Sequence, residues 1–146
     1  MSETPETGSN EQPLPALGSP DLSIHHSSAK VRLAAIAQVA EKALENDDST
    51  ELRLLTEALN DSDVDVRVAT AQYLGKLQYD GAYYPLVACL KDGDPAMRKA
   101  AAQALGALGN PDAIAALEPL ERDADMEVQA IVEPVIQQLM TKLSNS

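Results

Sequence analysis

The chain has 146 residues, the length of one domain, and it has no Phe, no Trp and only four Tyr. Its apolar residues are mainly Ala, Leu and Val, small side chains that need close backbone approach to fill a core, and Ala and Leu favour helix. A formal net charge of -12 excludes the basic surface that nucleic acid or an anionic membrane requires.

The single cysteine, Cys89, excludes an internal disulfide and a thiolate metal cluster. Residues Met1 to Glu6 lack the basic and apolar regions of a signal peptide, and no apolar run reaches the ~18 residues of a membrane span. A cytoplasmic location is expected.

Residues 1–27 read as an acidic, proline-rich, disordered tail. Pro5, Pro13, Pro15 and Pro20 fall among Ser, Gly, Glu and Asn without helical or strand periodicity. Leu14, Leu17, Leu22 and Ile24 are its apolar points, suited to weak docking on the first helix.

From Ser28 a repeat begins. Arg32, Arg67, Arg98 and Gln129 mark one shared position, spaced 35, 31 and 31 residues apart. Residues 63–92 and 94–123 align without a gap, with Asp63 and Asp94, Ala71 and Ala102, Leu74 and Leu105, Gly75 and Gly106, and Leu86 and Leu117 at matching places. A domain over residues 28–143 follows, divided at 28–60, 61–92, 93–123 and 124–143.

Each unit reads as two helices, A and B. In the first unit, helix A spans about 28–44 and helix B about 50–59, and four extra residues fall in the polar run 45–50. The next two units give helices A at 63–77 and 94–108, with apolar residues at helical spacing, and helices B at 82–91 and 113–122. Asp63 and Asp94 stand at N-cap positions, and Pro95 follows at the first helical place. The last unit supplies one helix, 125–143. Pro119 and Pro134 are expected to kink or break their helices. The result is an all-α, right-handed α-α superhelix of about seven helices.

The run from Asp94 to Ala113, Asp-Pro-Ala-Met-Arg-Lys-Ala-Ala-Ala-Gln-Ala-Leu-Gly-Ala-Leu-Gly-Asn-Pro-Asp-Ala, resembles the HEAT-repeat consensus. It is most similar to the short HEAT-like repeats of phycobilisome-lyase type, and Tyr84 to Asp92 fits helix B of that pattern. Two departures stand out: Lys42 where Leu77 and Leu108 occur, and Gln129 in place of Arg. The resemblance implies a HEAT-like solenoid. It also implies a ladder in which the cap aspartates Asp63 and Asp94 pair with Arg67 and Arg98 to link successive repeats.

Few residues carry chemistry. His25 and His26 have no Cys or carboxylate at ligand spacing and read as part of the tail. The family includes the iron enzyme deoxyhypusine hydroxylase, which uses His-Glu pairs, but no such pair and no later histidine occurs here. Asp61-Ser62-Asp63-Val64-Asp65 begins like a calcium loop, yet Val66 and Gln72 occupy the places of the required Gly and Glu, so it reads as a turn with a capping aspartate. Cys89 reads as a buried structural thiol. No catalytic residue, metal or cofactor is assigned.

Tyr73, Tyr79, Tyr83 and Tyr84 all fall in one unit. Tyrosine buries much area with few rotors and is favoured at binding hot spots, while the alternative is that the four fill space around the turn at residues 78–81. Solenoids expose one broad face lined by successive helices B. Arg53, Glu57, Tyr83, Tyr84, Val87, Lys91, Glu118 and Arg122 are the expected protein-binding residues on it. The reading is a non-enzymatic interaction module, an adaptor or assembly factor, monomeric on its own, with a protein partner and neither nucleic acid nor membrane insertion. The resemblance supplies an alternative, a role in attaching or detaching bilin chromophores.

Overall fold

A computed structural model describes residues 24–46 and 49–145. Most of the expected tail therefore lies outside the described residues, as do Asp47 and Asp48. Seven α-helices are found among the described residues: α1 (Ala29–Asn46), α2 (Ser49–Ala58), α3 (Val64–Leu77), α4 (Tyr83–Cys89), α5 (Pro95–Leu108), α6 (Ala113–Leu117) and α7 (Met126–Ser144). Short 3-10 turns, Asp80–Ala82 and Glu118–Arg122, precede α4 and follow α6.

The helices form two layers of an α-α superhelix. Helices α1, α3, α5 and α7 pack side by side in one layer, and α2, α4 and α6 each pack on the odd-numbered helix that follows. Val66, Leu74, Met97, Leu105, Val128 and Leu139 recur at helical spacing and are fully buried between the layers. Asp63 and Asp94 are the N-caps expected, accepting from Asp65 N–H and Ala96 N–H at 2.8 and 2.9 Å, and Asp125 does the same for α7.

Close approach within the first layer depends on glycine. A Cβ on Gly75 would lie 3.0 Å from Cα of Ala104, and one on Gly106 would lie 3.0 Å from Val135 Cγ1. The two outer faces of the layer are different. On α7, Glu133 and Gln137 are exposed where Ala71 and Ala102, and Gly75 and Gly106, receive the next helix. On α1, Gln38 and Glu41 are exposed where Ala104 and Ala107 meet Gly75. At each end of the stack, polar side chains thus stand where a further helix would have to pack, although Met140 is also exposed on the outer face of α7.

Several expectations need correction. The four extra residues of the first unit lengthen its helix rather than its turn: α1 has 18 residues, whereas α3 and α5 have 14 each. Ordered packing begins before Ser28, because Ile24 is buried and His26 Nδ1 accepts from Ser28 N–H at 3.0 Å. Pro119 does end α-helix, with the chain passing into 3-10 geometry after Leu117. Pro134 does not break α7, which runs through it. Pro134 and Ala130, whose carbonyl loses its helical donor, both lie on the exposed side, where water can satisfy the carbonyl.

Candidate interaction face: a ladder and grooves

The arginines do form a ladder, but their acidic partners are not the cap residues. Asp63 and Asp94 spend their carboxylates on their own helices. Arg32, Arg67 and Arg98 instead make paired hydrogen bonds to Asp61, Asp92 and Asp123, with Nε–Oδ2 distances of 2.8, 2.9 and 2.9 Å. These aspartates close each unit, 29 or 25 residues beyond the arginine. Their backbone carbonyls face the next unit: that of Asp61 accepts from Arg67 and that of Asp92 from Arg98, at 2.9 and 2.8 Å. One aspartate thus clamps the arginine before it with its side chain and the arginine after it with its main chain. A second carboxylate bond, from the N–H of Asp63, Asp94 or Asp125, fixes the turn at 2.9 Å.

The end rungs are half-built. His26 occupies the place of the rung aspartate, with its carbonyl accepting from Arg32 and its ring accepting from Ser28. Gln129 occupies the arginine place and donates to the carbonyl of Asp123. Each end keeps the main-chain half of the rung and drops the ionic half.

Electrostatics follow this geometry. Burial pushes the Asp61 carboxyl up, but the hydrogen bond from Arg32 and that from Asp63 N–H outweigh it and hold it below its ordinary value. Asp92 is raised by burial and lowered further by Asp94 N–H and Arg67, with the same net direction. For Asp123 the Arg98 hydrogen bond is the largest influence, and the carboxyl again lies low. The charged form of all three is the stable one in the fold.

The expected binding residues fall on the layer of α2, α4 and α6. Arg53, Glu57, Lys91, Glu118 and Arg122 are exposed, and Tyr83 and Val87 are half-buried. Tyr84 is 81% exposed and meets Tyr83 edge-on, ring centroids 4.9 Å apart. Burial raises the Tyr83 hydroxyl pKa, and nearby Asp112 and Tyr84 add to the shift. The other tyrosines are spacers. Tyr73 and Tyr79 pack against the core, and the Tyr79 ring occupies the space a Cβ on Gly81 would need.

Sequence reasoning missed the relief of this face. Three grooves of about 200, 540 and 440 Å³ follow one another along the ends of α2, α4 and α6. Ile24 and Ala58 line the first, Leu59 and Cys89 the second, Leu90 and Leu120 the third, with Asp61, Asp92 and Asp123 in turn. The first two share Asn60 and Asp61, and the last two share Lys91, so they form one continuous track. Val87 and Lys91 border the third groove, so the structure brings these two expected residues to one site. Pro85, Ala88 and Pro119 were not legible as groove-lining residues because they are ordinary apolar residues; only Ala88 and Pro119, each four residues before a rung aspartate, share an offset that marks them. Cys89 is buried, and burial pushes its thiol pKa up, with Asp92 adding to and Arg67 opposing the shift. Among the described residues no cluster of three His, Cys, Asp or Glu is placed to hold a metal ion, and no helix is long and apolar enough to cross a membrane.

Paired helices, a repeated capping aspartate and an inter-repeat ladder define an α-solenoid. The HEAT-repeat family model matches residues 52–136, more than half of the chain, and the chain belongs to that family. No curated protein matches it. Among solved structures it is similar to human deoxyhypusine hydroxylase in complex with glycerol, at 20% identity and a TM-score of 0.74. That likeness covers 88% of this chain and 45% of the hydroxylase, so the chain spans less than half of that enzyme. It is also similar to the CpcE–CpcF complex of phycocyanin lyase from Nostoc sp. PCC7120 (TM-score 0.57, 20% identity, 95% of this chain and 70% of that one). An engineered protein gives a TM-score of 0.63 at 20% identity, over 86% of this chain and 62% of its own. At such identities the likeness shows the fold alone.

Proposed function

We propose that this chain is a non-enzymatic protein–protein interaction module that holds its partner on the α2–α4–α6 face. The observation that carries the reading is the Tyr83–Tyr84 pair, with Tyr84 81% exposed in a chain that has four aromatic residues. Edge-on contact stiffens the two rings before any partner arrives, which lowers the ordering cost of binding. Lys91 and Arg122 beside Glu118 give the face mixed charge, suited to a polar rim around that anchor. In this reading the protein acts in the cytoplasm as an adaptor or assembly factor, is a monomer when alone, binds no nucleic acid and needs no cofactor.

The test is affinity purification from native lysate with the wild-type chain and with Tyr83→Ala/Tyr84→Ala. A stoichiometric protein partner is expected with the first and lost with the second, while the thermal midpoint of the variant stays close to wild type. A folded variant that retains the partner, or the lack of any stoichiometric partner, refutes the reading.

The short repeat pattern and the CpcE–CpcF likeness favour one second reading, a part in bilin attachment or detachment. Incubation with a phycocyanin apo-subunit and free bilin separates the two. A covalent chromophore band that depends on this chain supports the second reading, and none supports the first.

A further inference from the structure

Of the three grooves, the one between α4 and α6 has mainly apolar walls. Leu90 and Leu120 line its buried part, and Val87, Ala116 and Pro119 reach its surface. Its volume of about 440 Å³ falls within the ~300–1,000 Å³ of pockets that enclose a small ligand. Val87 lies four residues from Tyr83 on one side of α4. Tyr83 in turn is near Asp112, at the start of α6. The groove therefore continues from the tyrosine pair.

Two ionic residues line this groove, Asp123 and Lys91. The Asp123 carboxylate is already committed, to Arg98 and to Asp125 N–H, each at 2.9 Å. Lys91 is exposed, and its ammonium has no partner among the described residues. The same lysine borders the neighbouring groove, where Asp61 pairs with Arg32 and Asp92 with Arg67. The rung pairs cancel, so Lys91 is the one uncompensated charge lining either groove. In a chain of net charge -12, an apolar groove thus carries a positive rim.

We infer that this groove takes a short segment of the partner protein in which one carboxylate, Asp or Glu, stands beside a large apolar side chain. The inference rests on the interaction-module reading and adds the chemistry of the partner. The apolar side chain covers Leu90 and Leu120, and the carboxylate pairs with Lys91. Removing the apolar surfaces from water supplies affinity. The charge pair selects the partner and fixes its register. A run of acids fits less well, because Glu118 and Glu121 outnumber Arg122 on the 3-10 turn that supplies Pro119 and Leu120.

A random-peptide display library is the probe. It is selected on the full chain, on Lys91→Glu, and on Ala116→Gln, whose longer side chain fills the groove. Wild type is expected to enrich peptides with one Asp or Glu beside Leu, Ile, Met or Phe. Lys91→Glu should enrich Lys or Arg at that place instead, and Ala116→Gln should enrich neither. Lys91 is exposed, so its reversal tests the chemistry whether or not Ala116→Gln folds. A surface ion pair is worth up to about fivefold in affinity and reversal adds a repulsion, so the best wild-type peptide should bind Lys91→Glu about tenfold more weakly. On wild type, its amide NMR shifts should centre on Val87, Leu90 and Leu120. The inference is overturned if Lys91→Glu keeps the preference for acid, if wild type enriches no peptide, or if the shifts fall elsewhere. Purification from lysate separates it from the reading beneath it. A stoichiometric partner that Lys91→Glu/Ala116→Gln captures as well as wild type leaves the interaction module standing and overturns the groove chemistry. No partner with wild type overturns both.

Discussion

At the scale of single residues, the first unit carries a pair of exchanges the later units lack. Glu51 stands where Ala82 and Ala113 are fully buried, and Lys42 stands where Leu77 and Leu108 occur. Glu51 is 8% exposed, its Oε1 lies 3.9 Å from Lys42 Nζ, and its Oε2 has no hydrogen-bond partner. A first-turn acid gains about 0.3–1 kcal/mol from the helix dipole. An unsatisfied buried oxygen costs about 1–3 kcal/mol, so the cost wins. Lys42→Leu/Glu51→Ala is expected to raise the unfolding free energy by about 1–3 kcal/mol in urea. Lys42→Leu alone should lower it, since the acid then stays buried without a counter-charge. A double variant less stable than wild type would refute the assignment. Lys42 was visible in the sequence as a departure from the repeat. Glu51 was not, because the four-residue insertion shifts it out of alignment with Ala82.

At the scale of helices, spacing between elements is set by what they lack. Gly75 sits in mid-helix, where alanine is intrinsically better by about 1 kcal/mol. Its neighbour, however, is Cα of Ala104 at 3.0 Å from an added Cβ, and backbone cannot rotate aside. Gly75→Ala is expected to destabilise by about 1–2 kcal/mol, because overpacking outweighs propensity. Thermal melts decide it, and a rise in midpoint would show that α3 and α5 part freely. The helices themselves were legible from periodicity and caps, including the stop at Pro119. What sequence could not show is where inserted residues go. Polar residues at 45–50 read as a turn, yet α1 absorbs the extra length because Glu and Asn on an exposed helix end lose nothing to solvent. The ladder was half legible for a similar reason. Asp63 and Arg67 sit four apart and look like a pair, but the cap bonds claim the aspartate, and the true partner lies in the turn beyond the next helix.

At the scale of the molecule, the three rung aspartates tie the repeats into one array. Their carboxyls titrate below the unfolded value of ~3.9, in the direction set by arginine and backbone donors. Groups shifted this way contribute stability in full above the unfolded value, and that contribution is lost as pH falls through the lower, folded values. Unfolding free energy is therefore expected to be flat with respect to these groups near neutrality and to decline below about pH 4. Urea titrations from pH 7 to pH 2.5 measure this. In Asp61→Asn/Asp92→Asn/Asp123→Asn the acid-dependent loss should shrink, and an unchanged pH slope would mean that the ladder does not govern acid sensitivity.

The polar side chains on the outer faces of α1 and α7 bear on how such a protein changes length. A helix brought to α7 meets Glu133 and Gln137 instead of the small residues that receive α5 and α7. A copy of residues 63–93 spliced in before Asp94 would find a fitting socket on each side, and its Arg and Asp would complete a full rung. The array is thus more readily extended from within than at α1 or α7, so growth by duplication of an inner unit leaves both terminal surfaces untouched.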